Sequence, residues 1–325
     1  MKSQEKVTAF RNGEIKRNRG KGNMGMDTCT LCPRMCGVNR AAGEKGYCGM
    51  DATIRAARAA LHMWEEPCIS GTRGSGAVFF SGCSLRCIFC QNFEIAEGNC
   101  AKEISGERLS EIFLELQEQG AANINLVTAA HYVPAVIESL KKAKAQGMDL
   151  PVIYNSSGYE RVETVQMLEE VVDVWLPDFK YMDSKLAFAY SRAKDYPEVA
   201  RAAIREMMKA AGTCAYDEDG YIQKGVIVRH LILPGHTGNS IKALRYLHET
   251  YGEDIYISIM NQYTPVRKFV EFKELNRKVT KREYEKVLDA AVDMGIQNGF
   301  IQEGETASES FIPDFDYEGV EKNTP

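Results

Sequence analysis

Between residues 76 and 305, short β-rich runs alternate with longer segments of helical period, and this alternation restricts the fold more than any other feature. "AVFFSG" (77–82) leads through a cysteine-bearing turn to "LSEIFLELQEQG", and "NINLVT" (123–128) leads to "VPAVIESLKKAKAQG". "PVIYN" (151–155) precedes "ERVETVQMLEEV", and "VDVWLPDFK" (172–180) precedes "PEVARAAIREMMKAAG". "GVIVRHLILPG" (225–235) is followed by "SIKALRYLHETYG", and "DIYISIM" (254–260) by "KREYEKVLDAAVDMG", with a final "GFIQE" at 299–303. These six or seven β-then-α units have the spacing of a parallel sheet, in which each crossover needs a helix-sized connection. The runs are nearly continuously apolar, as strands covered on both faces are. A closed eight-fold barrel needs a further unit, so the predicted fold is α/β, a partial and open (β/α)6-type barrel; a doubly wound sheet is the alternative.

Polar residues gather where these runs end. A cysteine loop follows the first, "TAAHY" the second and "NSSGY" the third. Asp178 and Lys180 end the fourth, "PGH" follows the fifth, "NQYTP" the sixth, and Glu303 ends the last. Loops after the strands build the catalytic face of α/β barrels, so a single site fed by every strand is expected there.

The chain has 325 residues, 44% of them hydrophobic and 26% charged, which suits one large domain or two small ones. A formal net charge of −5 argues against general nucleic-acid binding. No apolar stretch is long enough to span a bilayer and no signal-peptide core stands near Met1. A cytoplasmic protein with no membrane or nucleic-acid partner is therefore expected. Residues 1–26 are polar and basic and read as a flexible tail, with Met24 and Met26 as alternative starts. The expected organisation is that tail, a cysteine-rich metal-binding segment at 27–70, the partial barrel at 71–305 and a C-terminal tail at 306–325.

Ten cysteines, clustered and without a secretion signal, read as metal or iron–sulfur ligands rather than crosslinks. Cys83, Cys87 and Cys90 are one short of a closed structural site, and a working metal site keeps one position vacant. Their soft thiolates suit zinc or an iron–sulfur cluster. Three thiolates can hold three corners of a four-iron cluster and leave one iron for an exchangeable ligand. The alternative is a zinc site completed by Cys68 or Cys100.

The CxxxCxxC spacing, directly after the first strand of a β/α series, resembles the radical S-adenosylmethionine (SAM) superfamily. The resemblance implies a 4Fe-4S cluster whose open iron takes the amino and carboxylate groups of SAM. It also implies reductive cleavage of SAM to methionine and a 5′-deoxyadenosyl radical, which abstracts a hydrogen atom. Such a cluster is strongly reducing, so a reduced flavodoxin or ferredoxin is the implied electron donor. "CIFCQN", with Asn92 two residues past the last cysteine, is similar to the cluster loop of pyruvate formate-lyase activating proteins. Their aspartate-x-lysine at the end of the fourth strand is matched by Asp178 and Lys180. The arginine ahead of a proline-glycine in their fifth is matched by Arg229 in "VRHLILPG".

Together with "CTLCPRMCGVNR", "VTAAHYVP", "YNSSGYE" and "LPDFKY", these motifs resemble an iron–sulfur branch of that family from about Cys29 to Glu303. Asn92, Asp178, Lys180 and Arg229 would then line the SAM pocket. Arg229 stands between apolar residues, where an unpaired guanidinium is costly. The activases' glycine-glycine-glutamate, which holds the SAM amino group, is replaced by "VTAAHYVP", leaving Thr128 or His131 for that contact. The implied function is anaerobic activation of a glycyl-radical enzyme. The alternatives are radical SAM modification of another protein, peptide or small molecule, and a non-catalytic metal or redox module.

Upstream, "CTLCPRMCGVNRAAGEKGYCG" offers Cys29, Cys32, Cys36 and Cys48 among glycines that let the chain fold back around an ion. Zinc would make this group a structural cap, and a second iron–sulfur cluster would make it an electron relay. Cys68 is a candidate replacement ligand; Cys100 and Cys214 read as plain packed residues.

Overall fold

The computed structural model describes residues 26–302 and 313–322. Residues 26–53 form turns and loops. The chain then enters the sheet as β1 (Ile54–His62) and makes a single helical turn, α1 (Pro67–Ser70). It returns as β2 (Ser75–Phe80), antiparallel to β1. A short helix, α2 (Phe93–Glu97), and a short strand, β3 (Lys102–Ile104), antiparallel to β1, complete this edge.

From β2 onward the sheet is parallel and runs in chain order. Its next strands are β4 (Ile124–Val127), β5 (Val152–Ser156) and β6 (Val174–Pro177). A two-residue strand, β7 (Ala215–Tyr216), pairs antiparallel with β8 (Ile222–Leu231). Then β8, β9 (Tyr256–Met260) and β10 (Gly299–Ile301) finish the parallel run. The strand order β2-β4-β5-β6-β8-β9-β10 never reverses. A doubly wound sheet requires such a reversal, so the open-barrel expectation holds and its alternative is excluded.

The returning helices are α3 (Gly106–Glu118), α4 (Val133–Ala145), α5 (Val162–Leu168), α6 (Ser184–Ser191) and α7 (Tyr196–Ala211). They are followed by α8 (Thr237–Tyr251) and α9 (Lys281–Asp293). Local chemistry sets their starts. Ser105 caps α3 by accepting from Arg108 N, and Thr280 and Glu283 form a reciprocal capping box on α9. Their apolar faces share one core with Phe80, Leu126, Tyr154, Trp175, Val228 and Ile259. The other sheet face carries a separate apolar plug at the strand starts, where Cys68 and Ile69 of α1 meet Ile153, Val174, Leu176, Ile222 and Ile227.

All seven apolar runs became strands. Six elements went unread: β1, α1, α2, β3, α6 and β7. In β1, "IRAARAALH" interleaves charge with alanine, a weak strand former, and hides the period. This strand lies within the span expected as a cysteine-rich segment, yet it is part of the sheet. Residues 313–322, from the expected C-terminal tail, pack along it. Ala59 N donates to Glu318 O at 2.8 Å, Tyr317 N donates to Ala57 O at 3.1 Å, and Val320 is buried. The expected tail at 1–25 with Met24, residues 306–312 and 323–325, and Glu303 lie outside the described residues. Among the described residues no helix is long and apolar enough to cross a membrane.

Candidate active site

Side chains alternate faces along a strand, so the apolar plug gives way to polar groups one pleat further on. Ile153 belongs to the plug and Asn155 lies above it; Ile227 is followed by Arg229, and Leu176 by Asp178. These polar groups floor a cavity of about 220 Å³ at the C-terminal ends of the strands. A cleft of about 420 Å³ between Thr53, Gly106, Ser139 and Lys142 lies elsewhere and gathers no comparable donor set.

Arg229 is hydrogen-bonded through both terminal nitrogens. Its Nη1 donates to Glu65 Oε2 at 3.0 Å and its Nη2 to Asn155 Oδ1 at 2.5 Å. Its Nε lies 3.3 Å from Asp178 Oδ1, an ion-pair contact without a hydrogen bond. Glu65 Oε1 accepts from Asn125 Nδ2 at 2.9 Å and Asn155 Nδ2 at 3.3 Å. Asp178 Oδ2 accepts from Lys180 Nζ at 2.6 Å. Burial opposes charge on Asp178, but Lys180 and Arg229 outweigh it and hold its carboxyl below the usual range. Burial likewise opposes charge on Lys180, and Asp178 and the Cys87 thiol more than compensate, so its ammonium persists. The neighbouring Glu66 is pushed up by burial, only partly countered by Arg229.

Glu65 is the pocket residue that motif reading missed. It lies upstream of the regular β/α series, and its signal was only a pair of acids in an apolar context, "MWEEPCISG". The turn between β1 and α1 carries it, with His62 and Trp64, to the cavity.

Cys83, Cys87 and Cys90 line this same cavity, together with Asn92, Thr128, Asp178, Lys180 and Arg229. Backbone and hydroxyl donors are directed at these sulfurs. Leu85 N and Arg86 N donate to Cys83 Sγ at 3.4 and 3.5 Å, Ser191 Oγ donates to Cys87 Sγ at 3.1 Å, and the Asn92 backbone lies beside Cys90, where it favours the thiolate. Burial raises the Cys87 thiol and pushes Cys90 up to about 12, so the bare groups are protonated and a metal would deprotonate them on binding. Among the described residues no three such side chains converge on a single ion. A four-iron cluster bonds each thiolate through a different iron, and donors aimed at the Cys83 and Cys87 sulfurs suit that group.

Thr128 lines the cavity at φ 63°, an unusual conformation for a β-branched residue. Its N donates to Asn155 O at 2.9 Å, which fixes it at the end of β4. The structure does not bring His131 to the cavity. The 3-10 turn Ala130–Tyr132 buries its ring, and Nε2 lies 2.7 Å from Ser81 O. Burial pushes its pKa down to about 3, so the ring is neutral and Nε2 carries the donated proton. Of the two candidates for the SAM amino contact, only Thr128 faces the pocket.

The upstream cysteines fold as a knuckle. Cys29 N donates to Val38 O and Gly37 N to Cys29 O, both at 3.0 Å, and Met35 N donates to Cys32 O at 3.0 Å. Cys29, Cys32 and Cys48 are buried and Cys36 is exposed. A Cβ on Gly46 would lie 2.9 Å from Cys36 Sγ and 3.7 Å from Cys48 Sγ, so this glycine lets the two sulfurs approach. Arg40 is buried beside them, with its guanidinium bonded to the carbonyls of Asp51 and His131 and Nη1 4.0 Å from Cys29 Sγ. Among the described residues no carboxylate pairs with Arg40. A buried cation needs counter-charge, and thiolates at these cysteines would supply it.

Cys68 does not join this group; α1 carries it into the apolar plug, near Cys214. Cys100 is also apart from both groups, donating to Phe315 O at 3.1 Å.

A series of parallel β/α units with three cysteines after its first strand, all facing one pocket, is an open barrel with a site suited to an iron–sulfur cluster. Residues 70–193 match the family described as a 4Fe-4S single cluster domain. That match spans the CxxxCxxC loop and the first half of the parallel sheet, so the chain is similar over those residues to 4Fe-4S proteins. It is 28% identical over 270 residues to an uncharacterized protein of Methanocaldococcus jannaschii, covering 81% of this chain and 74% of that one. Among solved structures it is similar to Streptococcus suis SuiB bound to precursor peptide SuiA, at 12% identity and TM-score 0.45, covering 69% of this chain and 47% of that one. It is also similar to HydG, a maturase of the [FeFe]-hydrogenase, at 15% identity and TM-score 0.47, covering 67% and 49%. The chain therefore spans just under half the length of these two proteins, and neither likeness carries any of the functional argument.

Proposed function

We propose that this protein is a radical SAM enzyme, with a 4Fe-4S cluster and SAM as cofactors, and that it abstracts a hydrogen atom from a partner protein, specifically a glycyl-radical enzyme that it activates in the cytoplasm under anaerobic conditions. The carrying observation is one cavity that holds Cys83, Cys87 and Cys90 beside Asn92, Asp178, Lys180 and Arg229, the set that resembles the activases. When bound, the reduced cluster supplies one electron that splits the sulfonium of SAM into methionine and a 5′-deoxyadenosyl radical, which takes a hydrogen atom from the substrate.

The protein's own groups do the positioning. Lys180, anchored on Asp178, and Arg229, anchored on Glu65 and Asn155, hold fixed charge toward the carboxylate and hydroxyls of a polar ligand. Phe79, Val127, Leu231 and Met260 give the cavity apolar walls that limit water at the reacting atoms. Reduced flavodoxin or ferredoxin is the electron donor. The upstream cysteines hold zinc or a second cluster against Arg40.

The test is anaerobic co-incubation of the reconstituted protein, SAM and reductant with candidate glycyl-radical enzymes, read by electron paramagnetic resonance. A glycyl doublet on a partner is expected. SAM cleavage without a doublet on any of them would reassign the substrate to another protein, a peptide or a small molecule.

A further inference from the structure

Arg34 lies two residues after Cys32 and two before Cys36, yet its guanidinium reaches out of the upstream group. Nε donates to Ser84 O at 2.9 Å, Nη1 to Arg192 O at 2.6 Å and Nη2 to Ser191 O at 2.9 Å. The cation also lies 4.0 Å from the Tyr47 ring centroid and 5.2 Å from that of Tyr159. All three nitrogens bond carbonyls, and the carbonyls come from two separate segments. One is the residue next to Cys83. The other is the end of α6, where the Ser191 hydroxyl donates to Cys87 Sγ at 3.1 Å and lies 2.7 Å from the Tyr181 hydroxyl.

We propose that Arg34 is a positioning residue that couples the upstream cysteine centre to the SAM cluster. A metal bound by Cys32 and Cys36 fixes the intervening turn, the turn aims Arg34, and Arg34 holds Ser191 so that its hydroxyl points at the Cys87 sulfur. Hydrogen bonds to cluster sulfurs help set the reduction potential. They favour the more negative, reduced state, so the clamp raises the potential of the cluster. The inference rests on both cysteine groups holding metal, and it gives the upstream group a role beyond that of a structural cap.

The test is a redox titration of the reconstituted full-length protein, followed by electron paramagnetic resonance without SAM. Ser191→Ala and Arg34→Gln are both expected to shift the midpoint to more negative values. The double variant should shift no further than Ser191→Ala alone, because both changes remove one hydrogen bond. Arg34→Lys should recover part of the shift, and Cys36→Ser should reproduce it with the iron at Cys83, Cys87 and Cys90 retained.

A wild-type midpoint in Arg34→Gln or in Cys36→Ser would overturn the coupling, as would additive shifts. If Arg34→Gln fails to hold its cluster, Arg34→Lys decides, since it keeps the charge but not the three-point clamp; a wild-type midpoint there overturns the proposal. No four-iron signal in the wild-type protein would sink the cluster assignment itself, a result distinct from failure of the clamp.

Discussion

Replacing Cys87 with alanine is expected to remove the SAM-binding cluster while leaving the fold in place. Cys87 is the middle cysteine of the loop, and its sulfur is the one that receives the Ser191 hydroxyl. With two thiolates remaining, the cluster would lose one of its three protein bonds, and iron after anaerobic reconstitution should fall by about four per chain. The loop itself is held independently. Ile88 N donates to Tyr190 O at 2.8 Å, Arg267 Nη2 donates to Ile88 O at 2.7 Å and Gln91 Nε2 donates to Gln262 O at 2.8 Å. The circular dichroism of the variant should therefore match the parent, and metal at Cys29, Cys32, Cys36 and Cys48 should persist. Retention of a full four-iron complement by Cys87→Ala would remove this residue from the ligand set.

The largest loss of stability is expected at Glu65. Its carboxylate accepts from Arg229, Asn125 and Asn155, and its side chain is only 9% exposed. Alanine would leave the Arg229 Nη1 donor and two amides without their acceptor. Breaking a buried pair from one side typically costs about 3–5 kcal/mol. Asp178 remains beside the guanidinium, so the lower end, about 3 kcal/mol, is expected in denaturant unfolding of the metal-free protein. The exposed Lys141–Glu170 pair, at 3.6 Å, should show almost no effect when broken in the same way. Equal effects at the two sites would mean that the Glu65 network is solvated rather than part of the barrel interior.

The parallel sheet was legible because both of its faces are covered, which makes each strand a continuous apolar run bounded by a turn and a helical period. The cysteine loop was legible because its spacing is local in the sequence. Asp178 and Lys180 end such a run and Arg229 lies within the next, and the structure brings all three into one cavity with the cysteines. Contacts that depend on long-range docking were not legible. Glu65 reaches the site from a turn beside β1, an antiparallel edge strand whose alanines and arginines obscure its period. His131 belongs to a polar loop at the catalytic end, but local backbone geometry turns its ring to Ser81 O instead of the pocket. Arg34 was unremarked within "CTLCPRMCGVNR", because its partners lie 50 and 157 residues or more away in the chain.

The decisive measurement is 5′-deoxyadenosine formation. The protein, purified without oxygen, reconstituted with iron and sulfide and supplied with dithionite and SAM, is expected to produce 5′-deoxyadenosine and methionine in equal amounts. Cys87→Ala, treated identically, is expected to produce none. No product from the intact, cluster-loaded protein would contradict the radical SAM reading of this site.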